Sequence, residues 1–240
     1  MTTSNFSAGR DVAIVGFAQT KHVRSADTLS EVEMIQPVIA EAMNQVGLDH
    51  HGFDFYCSGS SDYLAGQAFS FVMTLDAIGA WPPVAESHVE MDGAWALYEA
   101  YLKIRSGHAD TALVYGYGKS SPGDLPRVLS RMCEPYYTAP LWPTSVELAA
   151  LQARACIEAG ITSEAEMAEV AARDRRSARD NPNAQLAWDI GAAELLAGEY
   201  LANPLRRDDC APITDGGAAI VLASPERAAE LCERPAWITG

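Results

Sequence analysis

Four short apolar runs separated by helical stretches limit the fold of this chain more than any other feature. Val12-Ala13-Ile14-Val15-Gly16 reads as a buried strand ending in a glycine turn, and Phe53-Asp54-Phe55-Tyr56-Cys57 as a second. Pro83 to Val89 leads in a third, and Thr111-Ala112-Leu113-Val114-Tyr115 is a fourth. Between them, Thr28-Leu29-Ser30-Glu31 has the form of a capping box opening a helix to Gly47, with Pro37 as a kink. Ala65 to Ile78 reads as a further helix. Strands joined through helices imply parallel pairing with right-handed crossovers, an α/β fold.

From Lys119 to Arg207 the pattern changes to helices and loops. Ser120 to Asp124 and the Pro/aromatic stretch Pro135 to Pro143 are irregular, while boxes at Thr144-Ser145-Val146-Glu147 and Ser163-Glu164-Ala165-Glu166 open two helices. Strand character returns at Ala218 to Ala223, and Ser224-Pro225-Glu226 starts a last helix with an N-cap and proline at the first helical position. Trp237-Ile238-Thr239-Gly240 reads as the start of another strand. The organisation expected is a core of residues 1–118 and 208–240 around a helical insertion of residues 119–207.

Charge and cysteine use exclude several classes. A net charge of −15 over 240 residues opposes binding to nucleic acid or to anionic membrane surfaces. No run approaches the roughly 20 apolar residues of a membrane span, and the polar start, Met1 to Arg10, has no signal-peptide core. A cytoplasmic location is expected. Cys57, Cys133, Cys156, Cys210 and Cys232 form no C-x-x-C pair and read as free thiols, and no metal site is expected. Gly116-Tyr117-Gly118-Lys119-Ser120 ends like a phosphate loop, but its first glycine would fall on Leu113, and a dinucleotide fingerprint would need glycine at Ser121.

The run of most chemical interest is His88-Val89-Glu90-Met91-Asp92-Gly93, continuing to Gly107-His108-Ala109-Asp110. Ser87-His88-Val89-Glu90 is itself a capping-box pattern, so Glu90 has a structural use beside a general-base one. Asp92 reads either as a first-turn helix charge or as a site group, and His88 as a pocket or packed histidine. Arg173, Arg176 and Arg179 follow at spacings of three and share a helix face. Solvated charge and anion contact are both open to them.

Four segments in order resemble the thiolase superfamily, in its sterol-carrier-protein-x or lipid-transfer branch. They are Val12 to Gly16 with Thr20; the Glu90 run through Asp110 and Gly116 to Lys119; Arg176-Ser177-Ala178-Arg179-Asp180-Asn181-Pro182-Asn183-Ala184; and Pro204-Leu205-Arg206-Arg207-Asp208-Asp209-Cys210-Ala211-Pro212-Ile213-Thr214-Asp215-Gly216-Gly217-Ala218-Ala219. The resemblance implies a mostly parallel sheet with helices on both faces and a helical insertion on the coenzyme A side. It covers essentially the whole chain but only the first half of such a protein. The second half's histidine motif and C-x-G motif are absent from this sequence.

In that alignment Glu90 stands where the family's C-x-[ST]-G motif has its nucleophilic cysteine, Asp92 on the Ser/Thr position and Gly93 on the glycine. The implied substrate is a coenzyme A thioester, with no covalently bound cofactor, and Arg173, Arg176 and Arg179 are implied contacts for coenzyme A. Acyl transfer through an acyl-enzyme needs the missing thiol, whereas retro-aldol cleavage of a 3-hydroxyacyl-CoA needs only a base and an oxyanion site. The resemblance also implies a homodimer, through the strand Thr111 to Tyr115, or a heterocomplex with a second thiolase half or an OB-fold protein. The competing expectation is a non-catalytic subunit that binds acyl-CoA or pairs with an active partner.

Overall fold

The computed structural model describes residues 9–62, 69–79, 81–82 and 84–239. In chain order the described strands are β1 (Ala13–Gln19), β2 (Phe55–Ser60), β3 (Glu86–Glu90), β4 (Thr111–Gly118), β5 (Tyr200–Ala202), β6 (Leu205–Arg206), β7 (Gly216–Ala223) and β8 (Ala236–Trp237). The described α-helices are α1 (Glu31–Gln45), α2 (Ser70–Ile78), α3 (Gly93–Arg105), α4 (Leu125–Arg131), α5 (Ser145–Glu158), α6 (Glu164–Ser177), α7 (Ala192–Leu196) and α8 (Pro225–Leu231). Two compact units result: one draws on residues up to 20, 26–119 and from 215 onward, the other on 21–25 and 120–214. The second boundary falls after 214, where the sequence pattern had put it after 207.

The first unit is built on a six-stranded sheet in the order β3-β2-β4-β7-β1-β8. β2 pairs in parallel with both β3 and β4. β7 is inserted antiparallel between β4 and β1, and β8 closes the far edge antiparallel to β1. Four of the six strands, β1 to β4, therefore run one way, giving the mostly parallel α/β sheet expected. β4 lies between β2 and β7, and Thr111 to Tyr115 are all buried. That corrects the expectation that Thr111 to Tyr115 offers a pairing surface, because both of its edges already carry ladder hydrogen bonds.

Helices cover both faces. On one side α3 sets Ala96, Ala100 and Ile104 against Phe55, Cys57, Ala112, Val114 and Leu222, all buried. Burying a side chain such as Ile104 contributes about 2 kcal/mol, and the alanines let the helix lie close. On the other side α1 packs on β1 and β7 and against α2. α1 keeps Pro37 within its span and is capped by Ser30, whose side chain accepts from the Glu33 N–H while Glu33 answers to the Ser30 N–H. The box is thus Ser30/Glu33 and not Thr28/Glu31. The helix expected over Ala65 to Ile78 is described from Ser70; residues 63–68 lie outside the described residues, as does Pro83 at the head of the third strand.

The second unit holds α4 to α7 and the β5–β6 hairpin. α5 opens on the Thr144/Glu147 box and α6 on Ser163, which accepts from the Glu166 N–H, both where the sequence placed them. Ala168 and Ala172 of α6 bury against Leu195 of α7. Arg206 ties the hairpin to α6, its Nη2 lying 2.8 Å from Glu164 and 3.0 Å from the Tyr200 hydroxyl. In the first unit, α8 begins with Pro225 as expected, but Ser224 is fully buried and its hydroxyl does not cap the helix. No helix among the described residues is long and apolar enough to cross a membrane.

Candidate active site at the ends of the parallel strands

In α/β sheets, sites form beyond the carboxyl ends of parallel strands. Here β2, β3 and β4 end together, in a register that sets Ser58 beside both His88 and Tyr115, and Ser60 beside Glu90. Val89 packs into the core under α3, so the alternation of a strand turns His88 and Glu90 to the opposite face. The N-terminal part of α2 lies over that face: Ser70 Oγ is 3.2 Å from Ser60 Oγ and 3.4 Å from the Tyr117 hydroxyl.

His88 is fixed at both ring nitrogens. Its Nδ1 is 2.9 Å from Ser58 Oγ and its Nε2 is 3.5 Å from Glu90 Oε2. The Phe71 ring stacks on it with centroids 4.3 Å apart and planes 13° from parallel. The Glu90 side chain is 51% exposed, and its other oxygen accepts from the Asp62 N–H at 2.8 Å. The Asp62 carboxylate accepts from the Ser70 N–H at 2.7 Å and from the Phe69 N–H at 2.5 Å. The Ser70 side chain is the main influence that holds the Asp62 carboxyl below its ordinary range; burial opposes it, and the Ser70 and Phe69 N–H groups add to it. Burial pushes the Tyr115 hydroxyl up to about 12, against a lowering influence of the Thr74 and Ser58 hydroxyls.

Glu90 does not open a helix. It is the last residue of β3, so the Ser87/Glu90 capping box does not form. The cap of α3 is Asp92, whose Oδ1 accepts from the N–H groups of Ala94 at 2.9 Å and Trp95 at 3.1 Å. The anion-attracting helix start is thus occupied by the chain's own carboxylate, and Asp92 is spent on it. The helix reaches the sheet because glycines face it: a Cβ on Gly59 would lie 2.2 Å from the Asp92 carbonyl oxygen, and one on Gly116 2.8 Å from Gly93 Cα.

The candidate coenzyme A arginines sit in the second unit. Arg173, Arg176 and Arg179 are exposed; Arg173 pairs with Asp174 and Arg179 with Asp189. Two other arginines are structural: Arg206 as above, and Arg175, which bonds the Asp208 carbonyl and stacks over Trp188 at 5.1 Å. A hollow of about 440 Å³ in this unit is lined by Glu166, Asp174, Asp208 and Asp209 with Arg175 and Cys210. Four carboxylates make it a poor phosphate cradle. The Cys210 thiol is raised by burial and by Asp209.

Of the expected residues, the structure brings His88 and Glu90 together and assigns Asp92 to the helix cap. Sequence reasoning missed Ser58, Asp62, Phe71 and Tyr115. Ser58 carried a usable signal, since Ser58 and Ser60, two apart in an apolar strand, mark a polar row, but their partners follow only from the register.

No protein-family model matches the chain. It is 26% identical over 235 residues to an acetyl-CoA acetyltransferase of Methanothermobacter thermautotrophicus, covering 95% of this chain and 61% of that protein. It is likewise 26% identical over 239 residues to the 17-hydroxy-3-oxo-4-pregnene-20-carboxyl-CoA lyase of Mycobacterium tuberculosis, covering 94% of this chain and 61% of the lyase. Among solved structures it resembles the Ltp2-ChsH2(DUF35) aldolase, with a TM-score of 0.80, 22% identity, 97% of this chain covered and 60% of that one. The chain therefore spans about 60% of the length of the relatives it matches.

Proposed function

We propose, for a chain that belongs to the thiolase superfamily and to its sterol-carrier-protein-x-like branch, that the complete protein cleaves a carbon–carbon bond of an acyl-CoA in lipid or steroid side-chain breakdown. The reading favoured is retro-aldol cleavage of a 3-hydroxyacyl-CoA. The observation that carries it is Glu90, a half-exposed carboxylate at the strand end, held by the Asp62 N–H and His88, where acyl transfer would need a thiol. A carboxylate serves as general base. It removes the 3-hydroxyl proton, the C3–O bond becomes a carbonyl, the C2–C3 electron pair passes into the thioester enolate, and the proton returns to C2. Because Asp92 occupies the start of α3, stabilisation of the enolate oxygen is assigned to other donors of the complete protein.

The coenzyme A thioester is the substrate in this reading, and Arg173, Arg176 and Arg179 are proposed contacts for its phosphates. Their exposed pairs with Asp174 and Asp189 are weak enough to exchange for such an anion. A partner, either a second thiolase chain or an OB-fold protein, is part of the proposal. β3 has a ladder neighbour only in β2 among the described residues, Trp95, Tyr98 and Leu102 of α3 are exposed, and the structural neighbour is named for two components. A cytoplasmic setting is proposed from the five free thiols. The second reading, a non-catalytic acyl-CoA-binding or structural subunit, draws on the same open edge and on Asp92, which fills the position where the family's catalytic helix start is free.

The deciding experiment offers 3-hydroxyacyl-CoA and 3-oxoacyl-CoA substrates to the complete protein with its natural partners. Ketone or aldehyde release from the 3-hydroxy series is expected, with Glu90→Gln lowering kcat by at least about 100-fold at unchanged melting temperature. Absence of product from both series leaves the non-catalytic subunit.

A further inference from the structure

We infer that His88 is the positioning residue of the Glu90 carboxylate, held in one orientation by a polar row that crosses three strands. The inference rests on Glu90 acting as the base, as proposed above. Across β4, β2 and β3 the register sets Tyr115, Ser58 and His88 side by side. Tyr115 is 1% exposed and Ser58 2%, so this end of the row is dry, while Glu90 at the other end is half in solvent. His88 joins the two: its Nδ1 meets Ser58 Oγ at 2.9 Å and its Nε2 faces Glu90 Oε2 at 3.5 Å. Phe71 stacks on the ring, leaving the side chain 10% exposed. The ring is therefore held between Ser58, Glu90 and Phe71.

Serine, histidine and glutamate in a row invite comparison with a hydrolytic triad, and the geometry rejects it. In a triad the hydroxyl is the exposed, attacking end. Here the hydroxyl is buried beside Tyr115, and the carboxylate is the end that meets solvent. The row instead fixes a proton arrangement. An ionised Glu90 takes a hydrogen bond from Nε2–H, so Nδ1 carries the lone pair and accepts from the Ser58 hydroxyl. Glu90 is then gripped at both oxygens, by the Asp62 N–H and by His88, with its carboxylate plane set before substrate arrives. Asp62 is a further charged group near the ring, and its carboxylate accepts from the Ser70 and Phe69 N–H groups.

The test uses the complete protein with its natural partners. His88→Phe keeps ring volume and the stack on Phe71 but removes both nitrogens. It is expected to lower kcat roughly tenfold to a hundredfold with KM changed less than about twofold. His88→Gln, which restores an N–H toward Glu90, recovers most of that loss. In a Glu90→Asp background, where the carboxylate no longer reaches the ring, His88→Phe has little further effect. An unchanged kcat, a loss confined to KM, or an equal loss in the Glu90→Asp background overturns the inference. Nitrogen-15 NMR of the His88 ring gives a readout independent of turnover: the Nε2–H form is expected in the wild type and a mixture of both tautomers in Glu90→Ala. If the wild type releases no product the retro-aldol reading falls, and a mixed tautomer in the wild type then also removes the positioning role. If His88→Phe does not fold, Ser58→Ala with the same spectra decides.

Discussion

Gly59 of β2 and Asp92 at the head of α3 meet backbone to backbone: a methyl group on Gly59 would sit 2.2 Å from the Asp92 carbonyl oxygen. No side chain at residue 59 relieves that overlap by turning, so the helix start itself has to move. Gly59→Ala is therefore expected to lower stability by about 2–3 kcal/mol, read from urea unfolding. Gly116→Ala, whose Cβ would meet Gly93 Cα at 2.8 Å, should cost a similar amount. A change under about 0.5 kcal/mol in both would show that α3 slides freely on the sheet.

Asp92 is a helix cap in this structure, and its removal has a cap's signature. Asp92→Ala should cost about 1 kcal/mol, while Asp92→Asn and Asp92→Ser, which keep an acceptor for the Ala94 and Trp95 N–H groups, should cost a few tenths. If Asp92→Asn loses as much as Asp92→Ala, charge rather than the hydrogen bonds is what counts there.

Acid unfolding follows from two capping boxes. The Glu33 carboxyl is lowered first by the Ser30 backbone N–H and then by the Ser30 side chain, and Glu147 in the same order by Thr144. A carboxyl lower in the folded chain than in the unfolded one contributes stability that is complete above the unfolded value, about 4.3. That contribution is lost as pH falls through the folded value. Stability should accordingly drop below about pH 4, and the Ser30→Ala/Thr144→Ala double variant should lose less on going from pH 7 to pH 3 than the wild type. Parallel curves for the two proteins would exclude the Ser30 and Thr144 hydroxyls as the source.

Cys57 lies at the centre of the sheet, fully buried, and burial pushes its thiol up to about 12. Alkylation of the native protein at pH 8 should modify Cys133, Cys156 and Cys232, which are partly exposed, and leave Cys57 unmodified until the chain unfolds. Peptide mass spectrometry reads this directly, and early labelling at Cys57 would show that the core opens.

Local chemistry made part of this architecture readable from the sequence. The Thr144/Glu147 box, Ser163 and Pro225 each act on groups within about four residues along the chain, and each stands where the pattern set it. The Ser87/Glu90 box failed because a stronger non-local demand exists: β3 continues to Glu90 through its pairing with Ser60. The cap then passed to Asp92, two residues on. β7 was legible as a strand, but its place between β4 and β1 was not, since nothing in Gly216 to Ala223 says which strands it will join. The site was half legible. His88 and Glu90 stand out as residue types, but the contacts to Ser58 and Asp62 arise from strand register and a loop, which no spacing along the chain encodes.

β3 is five residues long and presents three different surfaces. Val89 faces inward to the hydrocarbon under α3, His88 and Glu90 face the polar layer under α2, and the outer backbone edge has no described strand beside it. A strand so short cannot shift along its neighbour by one position without exchanging the first two surfaces, sending Val89 into the polar layer and Glu90 into the core. Whatever docks on the outer edge must therefore accept the register that β2 imposes.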